Sequence, residues 1–167
     1  MGLEIQGIDG VLERLEGIAD AAKAKQALNK ACLLIERQAK INAQALSEGD
    51  GTLAGSITSR VEDYSGVIYT PLFYAPYVEY GTGIEAESGK GRQDVPWVYV
   101  KHSGKEGGSA QKSYTLDEAK NTVAYLRSKG LEAYYTYGQK PQPFMRPALD
   151  DNREKIVEIL KGGLIQK

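Results

Sequence analysis

The side chains able to do acid–base or covalent chemistry in this sequence are few and scattered. Its one histidine, His102, would be the natural proton shuttle near neutral pH. It stands beside Ser103 and Gly104 in a glycine-rich stretch, where a solvated loop position is expected. The one cysteine, Cys32, lies far from His102, so there is no zinc-type ligand spacing and no internal disulfide. Cys32 falls in an apolar, helix-like stretch and reads as a buried thiol, which fits a reducing cytoplasm. Gly89-Lys90 approaches a phosphate-cradling loop, but five residues separate Gly83 from Gly89, and Gly91 replaces the metal-holding hydroxyl. No G-x-S-x-G elbow occurs. Glu79, Glu85, Glu87 and Asp94 offer a carboxylate pair of the glycosidase kind or a carboxylate-only Mg²⁺ or Ca²⁺ site, though nothing in their spacing demands either. They read as a solvated acidic face. No catalytic residue, metal ligand or cofactor is assigned, and the expectation is a protein that is not an enzyme.

Composition narrows the classes further. Apolar residues are 41% and charged residues 26% of 167, the balance of a globular α+β chain with one core rather than a disordered one. Lys plus Arg (21) nearly cancels Asp plus Glu (22), so no broad positive field exists for specific nucleic-acid binding. Met1 to Gln6 carries no basic, apolar or acylation signal, and no apolar run approaches the ~20 residues that span a bilayer. A protein soluble where it is made, with no membrane partner, is expected.

The elements that would position these residues follow from periodicity. Asp9 can cap a short helix carrying Val11, Leu12, Leu15 and Ile18. Ala24, Ala27, Leu28, Ala31, Leu34, Ile35 and Ala39 then form the stripe of a long amphipathic helix ending near Ala45. Glu48 to Gly51 is turn chemistry, and Ser56 to Val61 with Gly66 to Tyr69 suggests a hairpin around the polar break Glu62 to Ser65. Gly81 to Lys112 is glycine-rich and expected to be mobile, apart from the strand-like Trp97 to Val100. A helix from Asp117 to Lys129 closed by Gly130, then a strand from Glu132 to Tyr137, complete a β-α-β-like excursion over 85–139, set into a single domain of 1–167. A last helix is expected from about Pro147 to Leu160, ended by Gly162-Gly163. The predicted plan is a small antiparallel sheet packed by the long N-terminal helix and the C-terminal helix.

Eleven tyrosines stand against two phenylalanines and one tryptophan, concentrated in Tyr64 to Tyr80 and Tyr114 to Tyr137. Tyrosine joins an apolar ring to a polar tip and suits surfaces that are dry in an assembly and wet outside it, although strand packing explains any single one equally well. Tyr74, Tyr77 and Tyr80 recur every three residues, so a short helical turn would put them on one side with Glu79 pointing elsewhere. With Trp97, Tyr99, Tyr135 and Tyr137 these are the candidate contact residues.

Three segments, in order, carry a family resemblance. Tyr74-Ala75-Pro76-Tyr77-Val78-Glu79-Tyr80-Gly81-Thr82 closely resembles a motif of the siphophage head-tail joining, or tail-completion, proteins. Gly51-Thr52-Leu53-Ala54-Gly55-Ser56-Ile57 resembles that family's "TG-x-L-x-x-S-I" approach to the first strand. Gln142-Pro143-Phe144-Met145-Arg146-Pro147-Ala148 resembles its "x-P-F-L-R-P-A" start of the last helix. The resemblance spans roughly Ile8 to Leu160. The chain departs from it in lacking a proline-containing stretch over Ala45 to Gly51 and a basic residue at Ala54 or Gly55, and in its longer insertion. It implies structural roles for Gly51, Leu53, Ser56, Ile57, Pro76, Gly81, Thr82, Pro143, Phe144, Arg146 and Pro147. It also implies a virion neck or tail protein, assembled in the host cytoplasm with other phage neck and tail subunits, and with itself in a ring of six. The other reading is a host-encoded protein-binding module of similar fold, recognising a partner through the strand at Glu132 to Tyr137.

Overall fold

A computed structural model describes residues 2–4, 21–46, 51–100 and 114–165. The expected helix after Asp9, the turn at Glu48 to Asp50 and His102 lie outside the described residues. The fold is α+β and divides into two compact units, one of residues 1–75 with 143–167 and one of 76–142.

In the first unit, helix α1 (Ala21–Gln44) is followed by a short helix α2 (Thr52–Ser56) and the hairpin of β2 (Thr58–Glu62) and β3 (Ser65–Tyr69). Strand β1 (Gly2–Glu4) pairs with the other side of β3, giving an antiparallel sheet ordered β1-β3-β2. The hairpin turns on Asp63-Tyr64 as the polar break predicts, with Asp63 at φ 51, a left-handed conformation that Asp tolerates better than most side chains. Residues 51–57, read as leading straight into the strand, instead form α2 first, and only Ile57 turns extended.

Helix α1 buries Ala27, Leu28, Ala31, Cys32, Ile35, Ala39 and Ala43, close to the predicted stripe, against α2, β2, β3 and the C-terminal helices. The contact with β3 is tight at one place. A Cβ added to Gly66 would run into Cys32 Sγ and stand 3.3 Å from Leu28 Cδ1. Desolvation in this contact, then the nearby Glu36 charge, pushes the Cys32 thiol up to about 11. One turn on, Glu36 pins α1 to the sheet. Its carboxylate accepts from Ser59 Oγ of β2 at 2.6 Å and from Lys40 Nζ at 2.6 Å. Burial pushes this carboxyl up, but the hydrogen bonds from Lys40 and Ser59 and the Lys40 charge outweigh it and hold its pKa below the ordinary value.

The C-terminal segment corrects the sequence reading. In place of one helix from Pro147 there are two, α5 (Met145–Asp150) and α6 (Arg153–Ile165). Asn152 explains the break. Its side-chain amide donates to the Ala148 carbonyl at 3.0 Å, the acceptor its own backbone N–H would take, and that N–H turns to Leu149 O at 3.2 Å. Gly162-Gly163 do not stop α6. A Cβ at Gly163 would collide with that of Ala27, so the glycine serves close packing of α6 on α1.

In the second unit, α3 (Ala75–Tyr80), which begins one residue before it, leads to β4 (Thr82–Gly83). Strand β5 (Trp97–Val100), α4 (Leu116–Ser128), β6 (Ala133–Thr136) and β7 (Gly138–Gln139) follow. β5 pairs antiparallel with β6, and β4 with β7. Thr82-Gly83, expected to release the chain into a mobile stretch, are thus held in a ladder. The expected helix and strand are present, with a small core of Val98, Ala119, Val123 and Ala133.

Two outcomes follow for the first unit. Gly66→Ala should destabilise by about 1–3 kcal/mol through overpacking, whereas Gly55→Ala, open around its Cβ position in α2, should be neutral or stabilising by up to about 1 kcal/mol; denaturant unfolding compares them. Because the Glu36 pKa is lowered on folding, its contribution is present above the unfolded carboxylate value of about 4.3 and fades as pH falls through the lower folded value. Glu36→Gln should therefore cost stability at pH 7, by about 1 kcal/mol or less, and little at pH 2.

Candidate interaction surface

The three motif segments can now be read as packing devices. Gly51 takes φ 80 at the start of α2, where a left-handed residue turns the chain into the helix. Ser56 Oγ donates to the Leu53 carbonyl at 2.7 Å and lies 2.7 Å from Thr70 Oγ1, which in turn accepts from Leu72 N at 3.3 Å. With the Ser56 proton committed to Leu53, Thr70 is the donor between the hydroxyls. The result is one directional chain from Leu72 through the buried Thr70 to α2, beside the buried Ile57. This fixes the approach to β2 and the exit from β3 together.

The segment 142–148 works similarly. Phe144 is fully buried, and its carbonyl accepts from Asn42 Nδ2 of α1 at 3.0 Å, so the long helix holds the start of α5. Pro143 is exposed, Arg146 half-buried, and Pro147 half-buried in the first turn of α5, where its missing N–H has no helical acceptor to lose. Gly81, at φ 75, would place a Cβ 2.6 Å from the Gln139 carbonyl. Thr82 Oγ1 accepts from Gln139 N at 3.0 Å. Pro76 is half-buried in the first turn of α3.

The candidate contact residues divide into three groups. On α3, Tyr77 (54% exposed) and Tyr80 point outward, while Glu79 is fully buried and offers no surface as it stands. Tyr74, just before the helix, is half-buried and meets Phe73 edge-on at 5.6 Å. On the β5–β6 ribbon, Val98, Val100 and Ala133 face α4, so Trp97, Tyr99, Tyr134 and Thr136 share the opposite face. There Tyr99 stacks on Tyr134 at 5.6 Å and 27°, with the Arg127 guanidinium 5.1 Å from the Tyr134 ring and that of Arg92 5.3 Å from the Trp97 ring. The Tyr134 hydroxyl donates to Glu132 at 2.8 Å; that bond, then desolvation and the Glu132 charge, hold the phenol above its ordinary pKa. Tyr135 and Tyr137, both exposed, form a third, edge-on pair at 6.4 Å.

Tyr134, Arg92 and Arg127 were not singled out by sequence. The period-2 rule places Tyr134 opposite Tyr99 once the register is known, but the guanidinium positions depend on tertiary contacts. Among the possible chemical groups, Glu79 is buried while Glu85, Glu87 and Asp94 are exposed, so these acids do not share an environment. Among the described residues, no group of three or more His, Cys, Asp or Glu is placed to hold a metal ion. Cys32 is buried and, with its raised pKa, protonated at neutral pH. No helix of the described residues is long and apolar enough to cross a membrane.

Residues 8–81 match the model of the HK97-gp10-like family, described as "Bacteriophage HK97-gp10, putative tail-component". This agrees with the resemblance read from the residues, and the matched stretch contains two of the three motif segments up to Gly81. The third, at 142–148, lies beyond it. No curated protein and no solved structure matches the chain.

Two measurements check this geometry. Ser56→Ala should cost about 0.5–1.5 kcal/mol by removing the hydroxyl that joins Thr70 to the Leu53 carbonyl, read by chemical unfolding. Cys32 should resist thiol reagents in the folded chain at pH 8 and react fully on unfolding; rapid labelling under native conditions would contradict its burial.

Proposed function

We propose that this chain is a non-enzymatic structural subunit of a long-tailed bacteriophage or prophage, acting at the head-proximal end of the tail, where it joins head to tail or completes the tail. The observation that carries the reading is the match of residues 8–81 to a tail-component family, coinciding with two of the three ordered motif segments. Its partners are neck and tail subunits and further copies of itself. One heterologous interface repeated about an axis closes into a ring, for which the family resemblance implies six copies. Tyr77, Tyr80, Trp97, Tyr99, Tyr135 and Tyr137 are the proposed contact residues, since tyrosine and tryptophan supply large apolar area while keeping a polar group for the wet state. Assembly takes place in the host cytoplasm and ends in the virion neck or tail. The near-balance of 21 basic and 22 acidic residues favours protein partners over nucleic acid.

Electron microscopy of particles assembled without this chain tests the role. DNA-filled heads separated from finished tails are expected; normally joined particles would overturn it. The isolated chain should scatter light as a monomer or weak oligomer, and a stable closed ring formed without partners would contradict assembly on the particle.

A further inference from the structure

We infer that β4, β5, α4, β6 and β7 form a clasped module that opens and closes as its own cooperative unit, with the α1–β3 body remaining folded. The inference does not depend on the assembly role. It concerns which residues lose structure together, and stands or falls whatever the chain binds.

The clasp is made of backbone. β4 and β7 pair Thr82 with Gln139 and Gly83 with Gly138, extended by Ile84 N donating to Tyr137 O at 3.1 Å and by Gln139 N donating to Thr82 Oγ1 at 3.0 Å. Gly83 and Gly138 sit at φ 60 and 141. A side chain on Gly83 would strike the Tyr137 carbonyl, one on Gly138 the Thr82 carbonyl, and one on Gly91 the Gly83 carbonyl. Three glycines therefore let these strands and the loop after them interlock at distances closed to any other residue. The pairing holds β4 beside β7, which lowers the loop-closure entropy of bringing β5, α4 and β6 together.

Beyond the clasp, the module meets its own structural needs. Helix α4 begins with a capping box, Thr115 Oγ1 accepting from Glu118 N at 3.3 Å and Thr115 N donating to Glu118 Oε2 at 2.8 Å. It ends in a Schellman arrangement around Gly130 at φ 79, with Gly130 N donating to Arg127 O and Leu131 N to Leu126 O. Arg127 Nε then donates to the Ala133 carbonyl at 2.9 Å, tying the helix end to β6. Both ends of α4 are thus satisfied from within, and Val98, Ala119, Val123 and Ala133 give it a core, flanked by Val100, Tyr114 and Leu126. That core is small and rich in alanine, and units of roughly 60 residues are marginal in stability. A separate core of low stability predicts sub-global opening.

Native-state hydrogen exchange on the full-length wild-type chain in increasing denaturant is the direct test. Amides of β5, α4 and β6 should merge into one opening isotherm, at least about tenfold less protected than α1 and β3 in the absence of denaturant; a single isotherm shared by all five elements would overturn the inference. Val123→Asp, also in the full chain, should abolish protection in β5, α4 and β6 while leaving α1 and β3 within about threefold of wild type. Loss of protection throughout, or failure of the whole chain to fold, would overturn it equally.

Discussion

The body of this protein depends on how closely α1 lies on β3. Gly66 presents no side chain to the helix, and Cys32 occupies the space where one would be. This contact allows the Glu36–Ser59 hydrogen bond to reach from helix to sheet one turn further on. The same helix accepts α6 where Gly163 meets Ala27, and its Asn42 holds the start of α5. Small residues on α1, namely Ala27, Ala31, Cys32, Ala39 and Ala43, permit these approaches, and larger ones would push the neighbours away. A helix with such a face is committed to its own sheet and helices.

Much of the fold was legible in the sequence because its signals are local. The stripe from Ala24 to Ala39, the polar break at Glu62 to Ser65, and the run from Asp117 to Gly130 each declare their conformation through periodicity or turn chemistry. Cys32 was also read correctly as buried. What escaped was long-range or competitive. Asn152 interrupts the last helix by taking a carbonyl from its own backbone, and Gly162-Gly163 read as a stop although α6 continues through them against α1. The pairing of Thr82-Gly83 with Gly138-Gln139 joins residues far apart in the chain, and no local pattern announces it. The Thr115-x-x-Glu118 capping box was visible as a pattern but was not singled out.

The candidate surface was legible as a list of residue types and not as an arrangement. Counting tyrosines finds Tyr77, Tyr80, Tyr99, Tyr135 and Tyr137, which are all exposed. It does not find the sorting of the ribbon into a face on α4 and an outer face where Tyr99 and Tyr134 stack beside Arg127. Nor does it find that Glu79, in the middle of the most distinctive motif, is withdrawn from solvent. Part of that motif is therefore packing, and its outward tyrosines are the portion open to solvent. The division is between an inward acid, Glu79, and outward rings, Tyr77 and Tyr80, which carry apolar area that tolerates water through its polar tip.

The central claim is that these exposed rings are covered in the assembled particle. Hydroxyl-radical footprinting of the isolated chain, compared with the same chain in purified particles, measures this directly. Tyr77, Tyr80, Tyr99 and Tyr135 should lose most of their reactivity on incorporation, while the buried Phe144 stays unreactive in both states. Unchanged reactivity at all four tyrosines would contradict the account.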